Sequence, residues 1–419
     1  MTWRGRLLAG LAALGVLLAA VAGIAWVFLS NTGYWPGSSM TTAWETRGDG
    51  GAPEHGSHHA WLVGDTVVRA RYDAVTGFDA ASGRMRWEYL PPRRADICAT
   101  SASADGSLVL IAYGERGEDA YGSAVEAGKG CATVAALDLA DGRELWRTAR
   151  RPATGGLDDG DGVLAAGGGL GVVLDDGEDA RAVRAVELRT GTPRWTAAVP
   201  TGCVPGQVAI APKDVLAVLT CGDELKLSAF DPADGTERWT VPLDARRGVA
   251  ADATAAFTSV EPIVLRVDEG GRGVDAFLAF GPDGRPGARI ESTGDRYGSI
   301  RSVSVADGRL FARTSGGRWG LLAAFDLATG EELWQTGLGG ARYTVSGLHA
   351  EGGRVMAVMS SAKYGDALHV FDAATGDEEE DRAFRDGIGP VQDLLPYKDL
   401  VIAVRSGGNV KPFSAYERW

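Results

Sequence analysis

The chain is 419 residues long, 45% hydrophobic and 23% charged, with 60 glycines and a formal net charge of −13. That apolar content supports a large core, and the glycine content points to many turns. The acidity, with no Lys/Arg cluster to reverse it locally, excludes a nucleic-acid partner.

The first element is the uncharged run LLAGLAALGVLLAAVAGIAWVFL (7–29), preceded by Arg4 and Arg6. A helix of that length covers about 35 Å, enough to span a bilayer. The two arginines ahead of it predict a cytoplasmic N-terminus at 1–6, a membrane-anchoring signal helix at 7–29, a linker at 30–40 and an extracytoplasmic domain at 41–419. The alternative is a cleaved signal peptide ending at AVA (20–22).

Past the linker comes EHGSHH (54–59), which gathers His55, His58 and His59 beside Glu54. Imidazoles so close together are candidate ligands for a borderline divalent metal, and a solvated glycine-rich loop is the other reading. The four cysteines fit an oxidising compartment. They allow three connectivities; we expect Cys98–Cys131 and Cys203–Cys221, because each pair then sits on neighbouring strands of one sheet.

The dominant feature is a repeated phrase. GFDAASGRMRWEY (77–89), ALDLADGRELWRT (136–148), AVELRTGTPRWTA (185–197), AFDPADGTERWTV (229–241) and AFDLATGEELWQT (324–336) share an apolar run, an acidic residue, a glycine and a Trp. Weaker copies occur near 280 and 371, and the period is about 45 residues, enough for four short strands. Short Val/Leu/Ala runs broken by Gly and Asp predict strands, not helices. The acidic residue accepts hydrogen bonds from the turn amides, and the glycine supplies a left-handed turn residue, as expected for Asp372 and Gly376. Trp87, Trp146, Trp195, Trp239 and Trp334 occupy one slot of the repeat, so we expect them to pack between neighbouring sheets. The end PFSAYERW (412–419) reads as a third strand without a fourth, and TTAWETRG (41–48) as a fourth strand without a sheet. Pairing the two closes a ring and removes sheet edges. The expected fold is all-β, an eight-bladed propeller, with seven blades if the weak repeat near 280 is a loop.

The pattern D-x-x-[TDS]-G-x-x-x-W at this period resembles the PQQ-like propeller repeat, over nearly all of 41–419. That family includes quinoprotein dehydrogenases and the BamB-type propeller, an accessory protein of outer-membrane protein assembly. The dehydrogenase resemblance implies PQQ and Ca²⁺ at the centre, an adjacent cysteine pair, an Asn metal ligand and a catalytic Asp. Here no two cysteines are adjacent, and the asparagines are Asn31 and Asn409 alone. We therefore expect no enzyme, no catalytic residue and no cofactor. The expected role is a binding scaffold for a protein or envelope component. The long insert ERGEDAYGSAVEAGKG (115–130) is the expected contact loop. A small-ligand sensor and a degenerate PQQ-dependent dehydrogenase are the alternatives.

Overall fold

The computed structural model describes residues 3–31, 39–48, 57–114, 131–151, 162–175, 177, 181–271, 273–316, 320–337, 343–361, 365–405 and 411–418. One helix, Trp3–Asn31, precedes an array of antiparallel strands. The anchor expected at 7–29, with its cytoplasmic N-terminus and extracytoplasmic propeller, is not supported. Among the described residues no helix is long and apolar enough to cross a membrane.

The strands form a propeller. Blade 1 is the four-stranded sheet Ser57–Val63, Thr66–Arg71, Val75–Asp79 and Met85–Tyr89, paired in chain order. The same order recurs over 96–149, 164–198, 203–242, 254–291, 298–337 and 343–384. The weak repeat near 280 is thus a complete sheet. An eighth four-stranded unit joins Asp393–Tyr397, Leu400–Val404 and Phe413–Arg418 to the N-terminal strand Ser39–Glu45. There Met40 lies opposite Arg418 and Thr42 opposite Tyr416, antiparallel. Ser39–Glu45 also pairs in parallel with the outer strand of blade 7 through Ser39–Ala383 and Met40–Phe384. Blades 7 and 8 are therefore one eight-stranded sheet. First strands of successive blades meet at the centre of the ring.

The repeated phrase builds the seam between blades. Its acidic residue sits at the turn from third to fourth strand and folds that turn back on itself. Asp231 Oδ1 accepts from Ala233 N at 2.8 Å, and Asp372 Oδ1 accepts from Ala374 N and Thr375 N at 2.8 Å each. The glycine four residues on closes the turn: Gly235 N donates to Asp231 O at 2.9 Å, with φ +75°. An L-residue pays about 1–2 kcal/mol for that conformation. The turn glycine has a second constraint, because the Trp of the preceding blade lies on it. A Cβ at Gly235 would sit 2.5 Å from Trp195, and at Gly191, 2.7 Å from Trp146. Trp87 covers Gly142, Trp239 covers Gly284 and Trp334 covers Gly376 in the same way. A sixth ring, Trp44 on the closing strand, covers Gly83 of blade 1. Four of the indoles also donate across the seam, to Ala80 O (Trp44, 3.1 Å), Leu188 O (Trp146, 2.8 Å), Pro232 O (Trp195, 2.8 Å) and Ala373 O (Trp334, 3.1 Å).

Two blades lack the Trp, for different reasons. Blade 7 has Glu380 in the slot. Its neighbour, blade 8, takes its fourth strand from the other chain end, so there is no turn to cover. Glu380 instead pairs with Arg382 and, at 3.2 Å, with Arg418. Blade 5 has the small, buried Ala288 in the slot, and the next residue, Arg289, reaches Asp244 at 2.5 Å and Glu291 at 2.6 Å. The receiving Gly330 keeps its positive φ (+79°), and a Cβ there would meet the backbone Arg289 O at 3.2 Å and the Ala288 side chain at 3.5 Å.

Disulfides join Cys98 to Cys131 within blade 2 and Cys203 to Cys221 within blade 4. The second links directly opposed residues of adjacent strands.

Substituting Gly235→Ala should cost about 2–4 kcal/mol in a urea titration, combining left-handed strain with displacement of Trp195. Gly222→Ala, at φ +61° with nothing within 4 Å, should cost only about 1–2 kcal/mol. Equal losses at both sites would remove the role given to the indole. The turn carboxylates also set an acid limit. The Thr375 and Ala374 amides hold Asp372 below its ordinary 3.8, and the Thr329 amide and hydroxyl do the same for Asp326. A depressed folded-state value stabilises fully at neutral pH and is lost as the pH falls below 3.8 through that lower value. The melting-temperature deficit of Asp372→Ala should therefore be largest at pH 7 and shrink on acidification toward pH 3.

Candidate functional site

Antiparallel pairing gives the ring two unlike rims. First and second strands join by two-residue turns at 64–65, 168–169, 261–262, 307–308, 352–353 and 398–399, and by longer ones at 101–107 and 211–214. The covered glycine turns between third and fourth strands emerge on this same rim. It is therefore mostly short and tied to the seams. On it Tyr397 Oη donates to Asp65 Oδ1 at 2.5 Å and Lys398 Nζ at 3.1 Å, latching blade 8 to blade 1. Those two donors hold the Asp65 carboxyl below its usual range.

The opposite rim carries the hairpins between second and third strands and the crossings from blade to blade. These include 72–74, 90–95, 115–132, 150–163, 176–181, 243–253, 269–274, 315–320, 385–392 and 405–412. They differ in length and composition, and among the described residues none of them carries a glycine–indole contact. Variation in a repeat protein collects on the face its stacking leaves alone, and that face is the usual binding surface. The expected contact loop 115–130 lies outside the described residues.

One crossing on this rim is conformationally unusual. In LPPRRA (90–95), Arg93 and Arg94 both have φ +56° and both are exposed. Arg94 N donates to Pro91 O at 3.0 Å and Ala95 N to Pro92 O at 3.2 Å. The other non-glycine residues with positive φ, Asp307 and Lys398, occupy tight hairpin turns. Consecutive left-handed arginines cost about 1–2 kcal/mol each and place two positive charges on the rim of an acidic chain.

Titratable groups also collect on the first strands of blades 6–8. His349 Nδ1 is 4.0 Å from Asp393 Oδ1, and its Nε2 is 3.4 Å from Glu351. Burial pushes the Asp393 carboxyl up, against the Leu394 amide and His349. Burial lowers the half-buried Arg313 guanidinium, helped by repulsion from Arg301, which occupies a bulge opposite it. Sequence reasoning singled out none of these groups.

Of the expected metal trio His55, His58 and His59, only the His59 side chain lies among the described residues. His55 and the side chain of His58 lie outside them, and His59 Nδ1 is 2.8 Å from Thr100 Oγ1. The dehydrogenase chemistry finds no fit. All four cysteines are committed to bridges between residues 33 and 18 apart in sequence, so an adjacent-cysteine disulfide has nothing to form from. Asn31 belongs to the N-terminal helix, and Asn409 lies outside the described residues.

A family model described as outer membrane protein assembly factor BamB matches residues 38–202, 122–336 and 179–416. The chain belongs to this family. Solved structures similar to this BamB-like propeller include BamB from Moraxella catarrhalis, at 16% identity and TM-score 0.52 over 91% of this chain and 98% of that one. The computationally designed Ika8 protein is similar at 14% identity and TM-score 0.55, over 90% and 99%. The quinohemoprotein alcohol dehydrogenase ADHIIG from Pseudomonas putida HK5 is similar at 13% identity and TM-score 0.51, over 90% and 76%. At these identities the likeness is one of fold. No curated protein sequence matches the chain.

If Arg94 is held left-handed at a cost, Arg94→Gly should raise stability by up to about 1 kcal/mol in denaturant unfolding. A loss of stability would show that its side chain has an indispensable contact.

Proposed function

We propose that this propeller is a non-catalytic scaffold that binds a protein partner on its rim of long connections, with no PQQ or Ca²⁺. The observation that carries this reading is the match of the BamB family model along the whole ring, joined to the asymmetry of the rims. One rim is consumed by the glycine–indole seams, and the other is left free to vary. A closed ring with covered edges offers a preorganised surface, which lowers the ordering cost of association. The commitment of every cysteine to a within-blade bridge argues against the quinone enzyme.

The partner's contact region is a protein segment with acidic character, read by Arg93 and Arg94. Exposed charges of this kind steer encounter and select partners. The check is affinity capture from the native cell, with the unaltered chain compared to Arg93→Glu/Arg94→Glu. A protein recovered reproducibly with the unaltered chain should fall about 10-fold or more with the double variant. Charge reversal on the opposite rim, Lys398→Glu, should leave recovery unchanged. Loss with Lys398→Glu, or none with the double variant, would contradict the assignment of rims.

A further inference from the structure

Every blade places three side-chain slots on one face of its outer hairpin. A bulge near the start of the fourth strand creates them. In blade 7 the register runs His369–Asp381, Val370–Glu380 and Phe371–Glu378, leaving Glu379 as the extra residue. Positions 378 and 381 would point to opposite faces of a regular strand, because side chains alternate. The inserted residue turns both to the face of His369. Other blades show the slots converging. In blade 4 they hold Ser228, Glu237 and Thr240, which hydrogen-bond in a chain, Ser228 to Thr240 at 2.7 Å and Thr240 to Glu237 at 2.9 Å. In blade 2 they hold Ala135, Glu144 and Arg147, and the charged pair closes at 2.6 Å.

Blade 7 fills the same slots with one imidazole and two carboxylates. His369 is 8% exposed, and its Nδ1 lies 2.5 Å from Glu378 Oε1. Its Nε2 lies 3.9 Å from Asp381 Oδ1. Ligand-capable atoms of all three fall within 4.8 Å of one another. The Glu–Arg set of blade 2 neutralises itself, whereas this set carries an excess of negative charge. Both carboxylates face solvent, so an ion can enter and waters can complete its shell.

We propose that His369, Glu378 and Asp381 form a binding site for a borderline divalent cation, Zn²⁺ foremost. A nitrogen donor with carboxylates selects this class over Mg²⁺ and Ca²⁺, which take all-oxygen sites. Glu378 on Nδ1 fixes the imidazole so that Nε2 faces Asp381, the arrangement in which an outer carboxylate orients a metal-ligating histidine. A bound ion would tie the third strand of blade 7 to its fourth, the strand that also pairs with the closing segment Ser39–Glu45.

The test is calorimetric titration of the untagged full chain with Zn²⁺, alongside His369→Ala, Asp381→Asn and His59→Ala, with circular dichroism as the check on folding. We expect one saturable Zn²⁺ per chain, weakened at least about 10-fold by His369→Ala or Asp381→Asn and unchanged by His59→Ala. Asp381→Asn preserves shape and keeps the test valid if His369→Ala fails to fold. Absence of saturable binding, or binding equally tight in Asp381→Asn, overturns the site. Loss in His59→Ala alone would place the ion at the N-terminal histidines and overturn it equally.

Discussion

The ring depends on a single contact made six times: an indole of one blade lying flat on the turn glycine of the next. The contact constrains both partners. The glycine is fixed first by its positive φ and again by the absence of room for a Cβ, which at Gly83 would sit 2.4 Å from Trp44. Four of the six indoles are fixed as well by the turn carbonyl that the ring N–H finds. Burying a ring of this size contributes several kcal/mol at each seam, counted as an upper bound against an extended chain. Because each Trp serves the following blade, the seam is directional. That explains why the Trp is absent before blade 8, whose third and fourth strands have no connecting turn, and why Glu380 is free to pair with Arg418 instead.

The same constraint divides the molecule into conserved geometry and free surface. The glycine turns cannot lengthen without losing the indole, so they stay short. Among the described residues none of the glycine–indole contacts falls on the opposite rim, and its connections vary most in length. The left-handed arginines of 90–95 lie on that free rim, where strain buys the presentation of charge. A closed array with one rigid and one variable rim is suited to recognition, and the BamB family match is consistent with that use.

Much of the fold was legible because its physics is local. The acidic residue, the glycine and the Trp lie within one short phrase, and each has one structural job. The pairing of TTAWETRG with the C-terminal strand was also readable, since an orphan fourth strand and an orphan third strand have one economical solution. The strand is Ser39–Glu45, beginning slightly earlier than the phrase suggested, and its Trp44 makes the sixth seam. The repeat near 280 left seven blades open as an alternative because it lost the donating Trp; it retains Gly284, the half of the contact that serves its predecessor. The trio His369, Glu378 and Asp381 shows the opposite case. These residues are up to 12 apart in sequence, and a bulge that inverts side-chain alternation brings them together. Nor does composition reveal that Arg93 and Arg94 adopt left-handed backbone, since these residues ordinarily avoid it.

The most direct measurement is site-specific photo-crosslinking in the native cell, with the photoreactive residue placed in turn at Arg94, Arg246 and Asp295 on the long-connection rim, and at Asp307 and Lys398 on the tight-turn rim. The account predicts one and the same protein attached at positions of the first rim and none at the second. Attachment confined to the tight-turn rim, or none at any position, would contradict it.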